Sequence, residues 1–133
     1  MIKIIADENI PFANEAFGKF GEVITIAGRE INKNYICKAD ILLIRSITKI
    51  NSNLLDGTSI KFVGTATSGT DHIDKKYLYN NNVVLSSAPG CNAKSVAEYV
   101  ITAICNHIFR NNFKNITCGI IGVGNIGNEV NKL

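Results

Sequence analysis

The stretch that decides the fold lies near the end of the sequence, where residues Ile116 to Val130 read I-T-C-G-I-I-G-V-G-N-I-G-N-E-V. Its first part, Thr117 to Ile121, is a short apolar run that predicts a buried parallel strand. Gly122, Gly124 and Gly127 follow with G-x-G-x-x-G spacing, and the residues after them predict the start of a helix. Such glycines permit a tight turn, the approach of a pyrophosphate to bare backbone, and close packing of a helix on a strand. The stretch therefore predicts a dinucleotide-binding loop.

The rest of that dinucleotide fingerprint is missing from the sequence. An acidic residue for the cofactor ribose is expected about 20 residues after the loop, which is beyond Leu133, the last residue. We therefore expect residues 116–133 to be the first strand and turn of a truncated Rossmann dinucleotide-binding domain.

Composition and charge narrow the class of protein. The chain has 133 residues, of which 46% are hydrophobic and 19% charged, as is typical of a globular domain. The net charge of +3 comes from scattered basic residues without a basic stripe, so no nucleic-acid partner is expected. No signal peptide precedes the first strand, and no apolar run approaches the roughly 18 residues of a membrane span. We expect a cytoplasmic protein without a membrane partner.

Four cysteines occur, and their spacing does not predict metal binding. Cys37, Cys91, Cys105 and Cys118 form no C-x-x-C pair and have no histidine at ligand spacing. Three of them lie in apolar runs, so buried, reduced thiols and no metal site are expected.

Upstream of the glycine loop, five apolar runs alternate with helical patterns. The predicted strands are Ile2–Ala6, Glu22–Ile26, Ala39–Ile44, Ile60–Thr65 and Val83–Ser86. This alternation favours an α/β fold with a parallel sheet, flavodoxin-like in size and covered by helices on both faces.

The predicted helices complete the order of elements. They cover Ile10–Phe20 with Asn9 as N-cap, Asn51–Leu55, a segment from Asp71 to Tyr79, and a long amphipathic helix from Asn92 to Phe109, while Ile31–Lys38 stays ambiguous. Residues Arg110 to Asn115 are polar and predict a linker. We therefore divide the chain into a substrate lobe (1–90), a bridging helix with its linker (91–115) and the start of the dinucleotide domain (116–133).

Polar residues cluster where the predicted strands end, which is where open parallel sheets bind ligands. These clusters are Asp7-Glu8-Asn9, Arg45-Ser46, the loop Ala66 to Asp71, and Pro89 to Asn92. Hydroxyls and backbone N–H groups beside Gly69 would suit a carboxylate or phosphate. The alternative is that Thr70 and Asp71 merely cap a helix while Ser46 caps a turn, and the spacing does not decide between the two.

Other ionisable residues near these clusters are weaker candidates. Asp7 and Glu8 point to opposite faces of an extended chain, which disfavours a cooperating acid–base pair. His72, in the first turn of a predicted helix, is expected at the surface or at the edge of a cleft. His107 lies near the C-terminus of the long helix, where the helix dipole favours it, and we assign it no chemistry.

Five segments together resemble one family. They are A-D-E-N-I-P-F (6–12), I-R-S-I-T-K-I-N (44–51), K-F-V-G-T-A-T-S-G-T-D-H-I-D (61–74), S-A-P-G-C-N-A-K-S-V-A-E-Y-V (87–100) and G-I-I-G-V-G-N-I-G (119–127). In this order they resemble the D-isomer-specific 2-hydroxyacid dehydrogenases over essentially all 133 residues. The segments 61–74 and 87–100 are far more specific than the glycine loop.

The resemblance implies a substrate and a cofactor. It implies that Ser46 and Thr67 contact a small anionic, phosphorylated hydroxy acid, with the backbone amides of Ser68 and Gly69 near its carboxylate. It also implies that the pyrophosphate of NAD meets the segment Gly122 to Gly127. In that segment Asn125 and Ile126 lie at the turn.

The resemblance does not supply the catalytic residues. In the family the catalytic Arg, Glu and His lie downstream of the glycine loop, so they would fall beyond Leu133, and no position in this sequence matches them. The 133-residue chain alone is therefore expected to be inactive, and the complete enzyme is expected to be a homodimer.

Two alternatives belong to other classes of protein. The chain could be a non-catalytic remnant or an α/β module that only binds an anion. It could also be a flavodoxin-like regulatory domain with a fortuitous glycine loop, which the length of the resemblance disfavours.

Overall fold

The computed structural model describes residues 1–114 and 116–133, so the predicted end of the linker at Asn115 lies outside the described residues. The chain divides into two compact units, Met1–Ala88 and Pro89–Leu133. We describe each unit by itself.

The first unit contains a sheet of five parallel strands. The strands are β1 (Ile2–Asp7), β2 (Gly21–Ile26), β3 (Ile41–Ile44), β4 (Phe62–Thr65) and β5 (Val84–Ser86). Their spatial order is β2-β1-β3-β4-β5, and every neighbouring pair is parallel. This is the flavodoxin-like order, so the predicted α/β class and its five strands are confirmed.

Apolar side chains alternate between the two faces of this sheet and build two cores. One core joins Ile5, Leu42 and Val63 of the strands to residues of α2 (Lys33–Ile36), α3 (Ser52–Leu55) and α4 (Lys75–Asn80). The other joins Ile4, Ala6 and Leu43 to the short helix α1 (Ala13–Phe17). Burial on both faces explains why these strands read as nearly continuous apolar runs.

Helix α1 is shorter than the predicted Ile10–Phe20, and Asn9 is not its N-cap. The backbone of Phe12 is left-handed at φ 58°, so the helix cannot begin before Ala13. Asn9 instead donates from its backbone N and its Nδ2 to Oδ1 of Asp7, at 2.9 and 3.3 Å. Asn9, which we expected to cap the helix, is therefore bonded to the last residue of β1 instead.

The other helices of this unit test the predicted caps. Asn51 accepts from the backbone N of Leu54 at 3.2 Å, which confirms it as the cap of α3. Asp71 was the wrong cap for α4, because Asp74 accepts from the backbone N of Tyr77 at 2.9 Å. The reason is a turn at Asp71 and His72 that leads into an isolated parallel bridge between Ile50 and Ile73, so the helix begins only after the bridge.

The ambiguous segment Ile31–Lys38 contains the short helix α2, with Asn32 as N-cap. Its side chain accepts from the backbone N of Asn34 at 3.0 Å.

The second unit is built on two helices that pack against each other, α5 (Ala93–Asn111) and α6 (Asn125–Lys132). Asn92 is at the N-cap position of α5, as expected, but its side chain makes no capping hydrogen bond. Helix α5 has 19 residues. No helix in the described part of the chain is long and apolar enough to cross a membrane.

The predicted strand Thr117–Ile121 is not formed. No strand is assigned within 89–114 or 116–133, and Ile121 is fully exposed while Ile120 is 38% exposed. A parallel strand is held by hydrogen bonds to its neighbours, and the described residues of this unit offer no neighbouring strand. The apolar run therefore forms no hydrogen-bonded ladder among the described residues.

The expectation of buried cysteines is wrong, since all four are exposed. Cys37 lies at the C-cap of α2, where its Sγ contacts the backbone oxygen of Asn34 at 3.3 Å. Cys105 lies on an exposed part of α5, and Cys118 lies in the run that forms no strand. An apolar run buries its residues only where another element covers it.

Candidate functional site

The carboxyl ends of three neighbouring strands form one edge of the first unit. Strand β1 ends at Asp7, β3 at Ile44 and β4 at Thr65, and Ile44 pairs with Thr65 in register. The chain leaves β1 for β2 on one side and places β3 on the other, so the order of strands reverses between β1 and β3. Ligands of open α/β sheets bind at such a switch point, and the turn that carries Ser46 follows β3 directly.

A buried carboxylate closes the end of β1. Asp7 is fully buried. Its Oδ1 accepts the two bonds from Asn9, and its Oδ2 has no hydrogen-bond partner among the described residues. A methyl group on Gly28 would overlap Oδ2, so only glycine lets this backbone lie against the carboxylate. Asp7 is therefore part of the framework beneath the switch point.

The Ser46 turn is anchored by the residue two positions later. Thr48 is buried and donates its hydroxyl to the backbone oxygen of Gly28 at 3.0 Å. Its backbone N donates to the backbone oxygen of Arg45 at 3.3 Å, which closes the turn. Arg45 and Ser46 are solvent-exposed. The Ser46 hydroxyl and the Arg45 guanidinium group are thus exposed to solvent on a turn that Thr48 holds in place.

The Thr67 loop is held by a short series of polar contacts. The hydroxyls of Thr65 and Thr67 are 2.7 Å apart, and Thr67 donates to the backbone oxygen of Gly69 at 3.1 Å. Nε2 of His72 lies 3.4 Å from the Thr65 hydroxyl. Ser68 is half-buried and also has a polar interaction, while Gly69 is exposed.

Two backbone hydrogen bonds join the Ser46 and Thr67 loops. Ile50 donates its backbone N to the oxygen of His72, and Asp74 donates its backbone N to the oxygen of Ile50, both at 2.9 Å. These bonds form the isolated bridge between Ile50 and Ile73. The residues that the sequence assigned to the substrate therefore lie in loops that are tied to each other.

His72 and Thr65 have a larger part in this loop than the sequence indicated. His72 is half-buried, and loss of water around its ring lowers its pKa below the usual range, while the negative charge of Asp71 offsets part of that shift. Thr65 is buried at 7% exposure. The only sequence signal for Thr65 was a hydroxyl as the last residue of an otherwise apolar strand.

A cavity of about 270 Å³ opens beside the ends of β4 and β5. Leu43 and Phe62 line its apolar part, and Thr65, Ser86 and Ser87 contribute hydroxyl-bearing residues. Ser46 and Thr67 are not among its described lining residues. The cavity is thus a neighbour of the two loops rather than the place where their hydroxyls meet.

In the second unit, each glycine of the loop has a distinct structural role. Gly122 has a positive φ of 91°, which side-chain-bearing residues rarely adopt. A Cβ on Gly127 would overlap the backbone oxygen of Gly122, so glycine lets α6 start close to the turn. A Cβ on Gly124 would meet nothing within 4 Å. The space beside Gly124 is open.

The start of α6 fits the diphosphate of a dinucleotide. Gly124 is the N-cap of this eight-residue helix and makes no side-chain cap, and the first N–H groups of a helix have no partner within it. Open space, bare backbone and a helix N-terminus together suit an anion. Asn125 and Ile126 begin the helix, and the Asn125 side chain packs close to Gly90, whose φ is 76°. No cluster of metal-ligating side chains occurs among the described residues.

The roles of these residues stay predictions. The structure places Ser46, Thr67, Ser68 and Gly69 in two joined loops, and Gly122 to Gly127 at the start of α6.

Comparison with curated proteins identifies close relatives. The chain is 49% identical over 131 residues to the erythronate-4-phosphate dehydrogenase of Salmonella arizonae, a match that covers 97% of this chain and 35% of the relative. It is 47% identical over 131 residues to the protein of the same name from Pectobacterium atrosepticum, with the same coverage. The chain therefore spans about a third of the length of these relatives.

Solved structures share the fold. The NAD-bound 3-phosphoglycerate dehydrogenase of Entamoeba histolytica matches with a TM-score of 0.73 at 25% identity, over 98% of this chain and 49% of that one. The D-lactate dehydrogenase of Aquifex aeolicus, complexed with NAD and lactic acid, matches with a TM-score of 0.69 at 21% identity, over 96% and 46%. The family model for the catalytic domain of D-isomer specific 2-hydroxyacid dehydrogenases matches residues 2–130. Because that match covers nearly the whole chain, the protein belongs to the D-isomer specific 2-hydroxyacid dehydrogenase family.

Proposed function

We propose that this chain is the substrate-side part of an NAD-dependent 4-phosphoerythronate dehydrogenase. The reaction is oxidation of the 2-hydroxyl of 4-phospho-D-erythronate in pyridoxal 5'-phosphate (vitamin B6) biosynthesis. The observation that carries the proposal is the 49% identity to an erythronate-4-phosphate dehydrogenase over 131 residues, which include both hydroxyl-bearing loops. NAD, when bound, supplies the hydride acceptor.

The first unit supplies the contacts to the anionic substrate. Ser46 and Thr67 donate hydroxyl protons, and the backbone N–H groups of Ser68 and Gly69 face the carboxylate. Hydrogen bonds to a charged group contribute about 1.5–3 kcal/mol each. The exposed guanidinium of Arg45, in the same turn as Ser46, adds positive charge on this side of the sheet.

The second unit supplies the start of the cofactor site. The open space beside Gly124, the positive φ of Gly122 and the close approach at Gly127 together support binding of a pyrophosphate at the N-terminus of α6. The proposal for NAD rather than NADP rests on the resemblance of the chain to NAD-dependent enzymes. Asn125 and Ile126 complete the turn.

The chain's own residues bind and orient, and none is assigned the proton transfer. No residue of this sequence matches the family's catalytic Arg, Glu or His. We therefore expect the 133-residue chain alone to show no turnover, and we expect the complete enzyme to be a cytoplasmic homodimer. Absorbance of NADH, recorded with the purified chain, 4-phospho-D-erythronate and NAD, checks the first of these expectations.

A second candidate function is an anion-binding α/β module without dehydrogenase activity. It is favoured by one observation, that the polar loops of Ser46 and Thr67 lie on a complete five-stranded sheet within the first unit.

A chimera separates the two functions. The aligned third of the Salmonella arizonae relative is replaced by this chain, and NADH formation is followed with 4-phospho-D-erythronate or 3-phosphoglycerate. We expect turnover of the first compound and little of the second. Thr67→Ala in the chimera should raise KM for 4-phospho-D-erythronate by a factor equivalent to about 1–3 kcal/mol, with KM for NAD unchanged.

Two outcomes would contradict these expectations. A chimera that is folded by circular dichroism, binds phosphorylated acids and yet forms no NADH would favour the anion-binding module. Equal losses for substrate and NAD on Thr67→Ala would show that Thr67 has only a structural role.

A further inference from the structure

We infer that Thr65 and His72 are positioning residues for Thr67, through a directed chain of hydrogen bonds that runs from the His72 ring through the Thr65 hydroxyl to the Thr67 hydroxyl. The inference deepens the proposed function and rests on it in one respect, because it takes Thr67 as a donor to the anionic substrate. It assigns roles to two residues that do not themselves touch the substrate.

Each threonine hydroxyl has one proton, and this number determines which group donates in each hydrogen bond of the series. Thr67 donates its only hydroxyl proton to the backbone oxygen of Gly69, at 3.1 Å. With the Thr67 proton on Gly69, Thr65 donates and Thr67 accepts in the 2.7 Å contact between the two hydroxyls. Thr65 has then used its only proton.

The ring of His72 completes the chain. Since the Thr65 hydroxyl can then only accept in its second contact, the inferred direction requires that Nε2 of His72, 3.4 Å away, carries a proton and donates it. The inference therefore requires the Nε2–H form of the ring. At 3.4 Å this is the longest link, so we expect it to contribute least.

The burial of Thr65 allows this chain of hydrogen bonds to hold Thr67 in place. Thr65 is 7% exposed, and a hydroxyl in such a place is costly to leave without a partner. Its bond to Thr67 therefore fixes the Thr67 oxygen even when the Thr67 proton turns from Gly69 towards a ligand. A donor chain also polarises the last hydroxyl, which strengthens the bond that it offers to an anion.

The position of these hydrogen bonds in the fold also supports a positioning role for Thr65 and His72. Thr65 is the last residue of β4 and is held in register with Ile44, whereas Thr67 lies in the loop beyond the strand. The side chains of Thr65 and His72 thus connect a loop residue to a rigid strand. Functional side chains need this kind of support to be held in place.

The first test reads the ring directly in the full 133-residue chain. Long-range proton–nitrogen NMR spectra of the ¹⁵N-labelled chain distinguish the two ring nitrogens of His72, with His107 as an internal reference. We expect the Nε2–H form for His72 and a change in its ring signals on Thr65→Val. A dominant Nδ1–H form would overturn the inference, because Nε2 would then be an acceptor.

The second test uses the chimera and matched variants. Thr65→Val removes the hydroxyl with little change in shape, and Thr65→Ser retains it. We expect Thr65→Val to raise KM for 4-phospho-D-erythronate about 3- to 10-fold, with KM for NAD and the thermal midpoint almost unchanged. Thr65→Ser should remain close to the unmodified chimera. His72→Gln, which keeps a donor at the corresponding position, should lose less than His72→Phe.

The outcomes separate the inference from the proposed function. Equal effects of Thr65→Val and Thr65→Ser, or equal changes in both KM values, would mean that Thr65 only stabilises the fold and would overturn the inference. The Nε2–H form and its response to Thr65→Val in the 133-residue chain, together with a chimera that shows no turnover, would support the series of hydrogen bonds and contradict the proposed function.

Discussion

Strand β3 and the run Thr117–Ile121 are similar in sequence, since both are short and apolar, but only β3 forms a strand. Strand β3 lies between β1 and β4, and both neighbours are hydrogen-bonded to it. Its residues Leu42 and Ile44 are completely buried, whereas Ile121 is fully exposed. The difference shows that an apolar run supplies the capacity for a strand, while its neighbours decide whether the strand forms.

The comparison predicts that the same kind of truncation has opposite consequences in the two units. Leu42→Ala should lower the free energy of unfolding of the first unit by about 2–5 kcal/mol, because it opens a cavity at a completely buried position. Ile121→Ala is the matched variant and should change stability by less than about 0.5 kcal/mol. Urea denaturation followed by circular dichroism measures both. Similar losses would mean that Ile121 is buried in solution and that the contrast between the units is smaller than the structure shows.

The second unit can be tested at the close approach of Gly127 to the backbone of Gly122. Gly127→Ala places a methyl group against the backbone oxygen of Gly122 and should destabilise the start of α6 by about 1–3 kcal/mol. Gly124→Ala, with open space around the new Cβ, should leave α6 intact. Hydrogen exchange of the α6 amides distinguishes the two variants.

The same glycine pair sharpens the cofactor assignment in the chimera. Gly124→Val should weaken NAD binding while α6 keeps its protection, because the side chain occupies the space beside the helix N-terminus. Unchanged NAD affinity, measured by calorimetric titration, would contradict a role of this loop in binding the pyrophosphate.

A smaller effect is expected at the start of α4. Asp74→Ala should lower the free energy of unfolding of the first unit by about 0.5–2 kcal/mol, because the backbone N of Tyr77 loses its side-chain cap. Asp71→Ala serves as the control and should cost less, since Asp71 does not cap this helix. Thermal unfolding of the two variants measures the difference. A larger loss for Asp71→Ala would restore the cap that the sequence predicted.

The smallest expected effect is a pH-dependent change in the contribution of Tyr77 to stability. The hydrogen bond from the Tyr77 hydroxyl to Oδ1 of Asp56, 2.6 Å long, raises the pKa of Tyr77 to about 12 from its usual 10.0, with smaller contributions from burial and from the Asp56 charge. A group whose pKa is raised on folding stabilises the fold fully below its unfolded pKa and loses that effect as pH rises through the folded pKa. The stability difference between the unmodified chain and Tyr77→Phe should therefore shrink between pH 10.0 and about 12. Urea midpoints of both chains across that range test this, and a constant difference would contradict it.

The sequence predicted the sheet of the first unit well because its information is local. Apolar runs bounded by polar residues and glycines mark β1 to β5 within one or two residues, and the parallel arrangement of the strands follows from their alternation with helices. The position of the Ser46 and Thr67 loops at the carboxyl edge follows from the same pattern. These features need no knowledge of what lies across the fold.

What the sequence did not predict depends on distant or conformational details. The left-handed backbone of Phe12 delays α1, and the bridge to Ile50 delays α4, and neither has a signal in residue type. The contact of His72 with Thr65 depends on the path of the loop between them. The four exposed cysteines show that an apolar pattern indicates a face that can be covered but does not identify what covers it.

The bridge between Ile50 and Ile73 limits how this lobe could be re-engineered for another acid. Because two backbone hydrogen bonds fasten the segment after Ser46 to the segment after Thr67, neither loop is an independent module. A graft that replaces one loop with a longer relative would break both bonds and release the other loop as well. Specificity libraries for this lobe should therefore exchange residues 45–50 and 66–74 together, as a single cassette of fixed length.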